Sequence, residues 1–101
     1  VTSGGYFVQL GSFRRLEAVE LAWAQVSEKS ERASSDLFPR VQDIVTEDRG
    51  TYLRVVVGPY ETKLEAQTTC DALKRDLVDC LVVYNELPAT SLRELLNERA
   101  E

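Results

Sequence analysis

Tyr6-Phe7-Val8-Gln9-Leu10-Gly11-Ser12-Phe13 decides the fold of this chain, because it returns in altered form as Tyr52-Leu53-Arg54-Val55-Val56-Val57-Gly58-Pro59-Tyr60. Each run reads as a strand that ends in glycine, one small or stiff residue and an aromatic. A helical segment with the tripeptide Leu-Glu-Ala follows each, at 16–18 and at 64–66. The chain is therefore two related strand–helix halves. In the first run Tyr6, Val8 and Leu10 fall on one side of a strand, with Phe7 and Gln9 on the other. In the second, Leu53, Val55 and Val57 are all aliphatic, whereas Tyr52, Arg54 and Val56 are mixed. The aliphatic sets are expected to face helices.

Working outward, Val19, Ala22, Trp23 and Val26 recur at helical spacing between about Arg14 and Lys29, and Glu17, Glu20, Gln25 and Glu28 fill the outer face. Ser30 to Asp36 is polar and reads as a turn. A second, weaker strand runs from Val41 to Thr46, with Pro39 at its start or on an edge. Glu47-Asp48-Arg49-Gly50 is a tight connection into the third strand. Thr62-Lys63-Leu64-Glu65 is a capping box, in which hydroxyl and carboxylate satisfy each other's free amides, so a helix starts near Lys63. Ala66, Cys70, Leu73 and Leu77 form its core stripe, and Leu81-Val82-Val83-Tyr84 is a short fourth strand. After Pro88, Ser91-Leu92-Arg93-Glu94 offers a second capping box for a short final helix carrying Leu92, Leu95 and Leu96.

The order strand, helix, strand, strand, helix, strand predicts an α+β fold of the split βαβ, ferredoxin-like type. This is a four-stranded antiparallel sheet with strands one and three central, both helices on one face and a short C-terminal helix. The other face is expected to be open, with Phe7, Gln9, Tyr52, Arg54 and Val56 projecting from it. Aromatic rings beside an amide and a guanidinium suit a sugar or an extended chain. Plain cross-strand packing of the same rings is the competing reading.

With 101 residues, 44% of them apolar, residues 1–101 make one domain, with a core at about 5–84 and an extension at 87–101. A start at Val1 rather than methionine reads as an excised part of a longer protein. No apolar run approaches the roughly 18 residues of a membrane span. Net charge −5 and a pI near 4.8 repel polyanions and speak against nucleic acid. The absence of histidine removes histidine-based triads, histidine-containing zinc sites and histidine general bases. Neither a nucleophile–base pair nor a metal constellation is visible, so neither an enzyme nor a cofactor is expected. Cys70, on the core stripe, and Cys80, opening the fourth strand, are either bridged or two small buried thiols.

The Gln-x-Gly-Ser-Phe and Val-Gly-Pro-aromatic pair, the Leu-Glu-Ala helices and the final Cys-Leu-Val-Val resemble a SPOR domain, the sporulation-related repeat, from about Gly5 to Tyr84. Trp23, Leu37, Pro39 and Asp79-Cys80 are most similar to versions from Gram-negative bacteria, particularly alphaproteobacteria. The resemblance implies a non-catalytic module that binds peptidoglycan glycan strands stripped of stem peptides and directs its parent to the division septum. It also implies a periplasmic or cell-envelope location, where a Cys70–Cys80 bridge fits the oxidising surroundings. No membrane insertion of this domain is expected, although the parent is free to carry an anchor.

Family glycan positions fall on Gln9, Ser12 and Tyr52, and strand parity adds Arg54 and Phe7. Arg54 is a natural partner for the lactyl carboxylate that peptide removal frees. Ser12 has a second reading as N-cap of the first helix, and Phe13 and Tyr60 read as turn anchors in the core; Arg14 and Arg15, just past the first turn, read either as a border of the groove or as a solvated pair, and are not counted in the site. The alternative function is a protein–protein or regulatory module using the open face or the last helix. RNA-recognition motifs share the topology, but the acidic charge and the missing basic, aromatic-rich third strand argue against RNA.

Overall fold

The computed structural model describes residues 4–100. It is an α+β domain of five strands and four helices: β1 (Gly5–Phe13), α1 (Leu16–Lys29), α2 (Glu31–Asp36), β2 (Pro39–Thr46), β3 (Gly50–Tyr60), α3 (Lys63–Arg75), β4 (Leu81–Asn85), β5 (Thr90–Ser91) and α4 (Leu92–Ala100). The antiparallel sheet has the order β4-β1-β3-β2-β5. The repeated runs β1 and β3 are its central neighbours, as expected, and β5 is a fifth strand that the repeat pattern does not contain.

The helix-facing side carries the core. Val8, Val57, Ala66, Cys70, Leu73 and Val78 form one buried cluster, and Val19, Val41, Val55 and Leu92 a second. Leu10 and Trp23 pack against both, which joins them under α1 and α3. α3 starts where the capping box places it: Thr62 accepts from the Glu65 amide at 3.1 Å and the Glu65 carboxylate accepts from the Thr62 amide at 3.2 Å.

Residues 31–36, expected as a turn, form the short helix α2. Ser30 caps it, accepting from the Ala33 amide while donating to Asp76 Oδ2 at 2.6 Å, and Ala33 is buried under it. One buried alanine gives no amphipathic period, so the helix rests on its cap and its docking. Cys70 and Cys80 are bridged, with Cα atoms 5.7 Å apart, tying α3 to the start of β4.

The larger departure concerns the face opposite the helices. From the end of β4 on one edge, residues 86–89 cross this face to reach β5 beyond β2 on the other edge. Gln42 Nε2 donates to Asn85 Oδ1 at 2.8 Å and to the Leu87 carbonyl at 3.2 Å, and Arg40 donates to the Ala89 carbonyl at 3.3 Å. At this end of the face Phe7, Val56 and Gln42 are sealed from solvent, each 0% exposed. α4 then returns to the helix layer, where Leu92 is buried against Val19, Val41 and Val55. The expectation of a face open along its whole length is thus corrected, because the C-terminal extension wraps the β2 edge and covers half of it.

Candidate functional site

The uncovered half lies at the opposite end, where β1 leaves toward α1 and β2 turns into β3. What assembles it is a register shift in β1. Gln9 stands opposite Val56 and Ser12 opposite Arg54, so three steps on β1 match two on β3. Strict alternation puts residues 9 and 12 on opposite faces, but a bulge at Leu10–Gly11 turns both outward and leaves Leu10 in the core. Glycine in the bulge has a second reason. A Cβ on Gly11 would lie 2.9 Å from the Phe13 ring, so the ring packs directly on bare backbone.

Ser12, Tyr52 and Phe13, with Arg14 and Arg49, line a groove of about 320 Å³. Ser12 is exposed, and Tyr52 and Phe13 are half-buried. Ser12 belongs to the strand; the residue before α1 is Arg15, with no side-chain cap, so the N-cap reading of Ser12 is corrected. Phe13 serves both the core and the groove wall, more than the expected anchor. Arg54, between Ser12 and Gln42 across the strands, is half-buried, and its Nε is enclosed without a hydrogen-bond partner. Gln9 sits further toward the β4 edge, half-buried in a shallow depression with Gly11, Asp79, Cys80 and Leu81. Phe7 is on the face that parity predicts, but it is fully buried under the crossing and offers no surface, so its place among the glycan contacts is corrected.

Sequence reasoning weighed Arg14 as a border of the groove but left it out of the site. Its guanidinium reaches across to the β2–β3 turn, donating to the Arg49 carbonyl and, at 3.4 Å, to the Thr51 carbonyl. Gly50, whose positive φ of 75° shapes the turn, lies beside it: a Cβ there would be in ordinary contact with Arg14 Nη1, at 3.8 Å. A larger depression of about 480 Å³ lies elsewhere, between α1 and α4. Trp23, Leu37, Phe38, Leu92 and Leu96 give it an apolar wall, with Arg93 and Asn97 also among its lining residues.

Among the described residues there is no group of three His, Cys, Asp or Glu side chains that could hold a metal ion, and no helix is long and apolar enough to cross a membrane. The groove offers aromatic, hydroxyl and arginine side chains, with the Gln9 amide in a neighbouring depression, the means to bind a polar polymer. A family model described as the SPOR domain matches residues 2–84, most of the chain. Neither a curated protein nor a solved structure gives a match.

Proposed function

Because the chain belongs to the SPOR domain family, a family of peptidoglycan-binding, generally non-catalytic domains of the bacterial cell envelope, we propose that it binds glycan strands whose stem peptides have been removed and carries its parent protein to the division septum. Gln9, Ser12 and Tyr52 are the direct contacts in this reading, with Arg54 bordering them behind Ser12. The single observation that carries it is that the bulge and the crossing together leave this end of the sheet free while closing the other. A pyranose presents apolar C–H patches to the Tyr52 ring, and its hydroxyl and acetamido groups match the Ser12 hydroxyl and Gln9 amide. The periplasm is the compartment this reading assigns, consistent with the Cys70–Cys80 bridge.

The test is retention on purified sacculi before and after an amidase strips the stem peptides. Stripped sacculi should retain the domain more strongly, and Gln9→Ala or Tyr52→Ala should abolish the gain in a protein with an unchanged circular dichroism spectrum. Equal retention of both variants and the parent chain would place the contacts elsewhere and favour the protein-interaction reading.

A further inference from the structure

The groove wall, rather than strand parity, shows which arginines gather at the open end of the sheet. Two arginines, Arg14 and Arg49, are among its lining residues, and Arg54 is not. The carbonyls of Arg49 and Thr51 hold the Arg14 guanidinium against the β2–β3 turn, so its charge is fixed at the groove rather than waving in solvent. Among the described residues no carboxylate forms a salt bridge with Arg14 or Arg49. The ion pair found among the described residues joins Arg15 to Glu17, and Glu47 and Asp48, on the same turn as Arg49, pair with neither. In a chain of net charge −5, two arginines without a carboxylate in salt-bridge contact stand beside a tyrosine at this end of the sheet. A guanidinium also matches the two oxygens of a carboxylate better than any other side chain does.

We propose that Arg14 and Arg49 are the specificity-determining residues of this groove: they pair with the free lactyl carboxylate of N-acetylmuramic acid. This inference rests on the glycan reading above and moves the acid contact from Arg54, where parity put it, to the groove wall. On a strand that keeps its stem peptides the same lactyl group is an amide, neutral and obstructed, so the arginines find no charge there. Tyr52 and Ser12 then bind sugar in general, and the two arginines distinguish one sugar polymer from another.

The test uses the folded domain and two tetrasaccharides of equal length in calorimetric titration. One is peptide-free and alternates N-acetylglucosamine with N-acetylmuramic acid; the other is chitotetraose, which has the same backbone without the lactyl carboxylates. The unmodified domain should prefer the acidic probe by about tenfold or more, the scale of one charge-assisted pair. Arg14→Gln/Arg49→Gln should bring that ratio to about one. Arg32→Gln/Arg93→Gln, which removes the same charge from exposed positions away from the groove, should keep it. A preference retained by the groove variant, or lost equally in the remote one, overturns the proposal. Equal binding of both probes by the unmodified domain overturns it while sparing the glycan reading, whereas binding of neither overturns both.

Discussion

Ser12 on β1 stands directly opposite Arg54 on β3, and this pairing exists only because the strand gains a residue between Gln9 and Gly11. The consequence for Arg54 is partial enclosure, with Nε buried and unpaired and its stem packed on the sheet between Ser12 and Gln42. An unpaired buried N–H is a cost that an apolar chain of similar length does not bear. Arg54→Met should therefore change unfolding free energy by no more than about 1 kcal/mol in urea titration, and Arg54→Ala, which also removes the stem, should lower it further. A loss in Arg54→Met as large as in Arg54→Ala would show that the guanidinium has a stabilising role the geometry does not reveal.

Gln42 behaves in the opposite way, because its polar atoms are paired and its partners lose bonds with it. Fully buried, it bonds the Asn85 side chain in both directions and the Leu87 carbonyl. Gln42→Leu keeps the volume but strands those partners, at a cost of roughly 2–4 kcal/mol for two or more unmet polar groups. Asn85→Ala should cost less, and the double variant less than the two together, since the partners left unpaired are shared. Additive losses in a denaturant cycle would contradict the network.

The strand–helix repeat, the central pairing of β1 with β3 and the start of α3 were legible because each has a local cause: alternation, duplicated turn residues, and a capping box at Thr62. The side chains of Val55 and Val57 likewise went where parity sent them. Phe7 and Val56 did not stay open, because what seals them comes from residues 86–89, thirty or more positions away from Val56 and about eighty from Phe7. Neither period nor propensity encodes that crossing. Ser12 was assigned through the family motif rather than by alternation, which a bulge defeats; Gly11 inside a strand was the physical sign of it. Arg14 was left out of the site because its carbonyl partners belong to a turn 35 positions later.

Gly11→Ala tests the bulge directly. The added methyl would meet the Phe13 ring at 2.9 Å, so either the ring or the strand must move. Because Phe13 both packs on the second core cluster and lines the groove, stability and binding should fall together, the first by about 1–3 kcal/mol. Calorimetry and retention on stripped sacculi measured on the same sample check this. Full binding in a destabilised variant would separate the Phe13 ring from ligand contact.

The Cys70–Cys80 bridge closes a short loop, ten positions apart in sequence, between the core stripe of α3 and the strand that borders Gln9. Loop-closure entropy for that span is worth roughly 2–3 kcal/mol. Reduction with dithiothreitol, or Cys70→Ala/Cys80→Ala, should lower the urea midpoint accordingly while leaving the folded spectrum intact. An unchanged midpoint would mean that native packing around Leu73 and Val78 already confines the loop.

A chain ending at Asn85, just past the last residue the family model matches, should be a poorer domain than that match suggests. Removing residues 86–101 uncovers Phe7, Val56 and Gln42 at once and deletes Leu92, which fills the second core cluster against Val19, Val41 and Val55. Loss of a buried leucine alone costs about 2–5 kcal/mol, and a domain of this size has only about 5–15 kcal/mol in total. The truncated chain should melt well below the full one and bind a hydrophobic dye. Leu92→Ala in the full chain isolates the core contribution, so the difference between the two variants measures what the crossing itself adds. If the truncated chain kept the full melting temperature, the crossing would be an ornament on an already complete fold, and the burial of Phe7 would have to be sustained by β1, β3 and β4 alone.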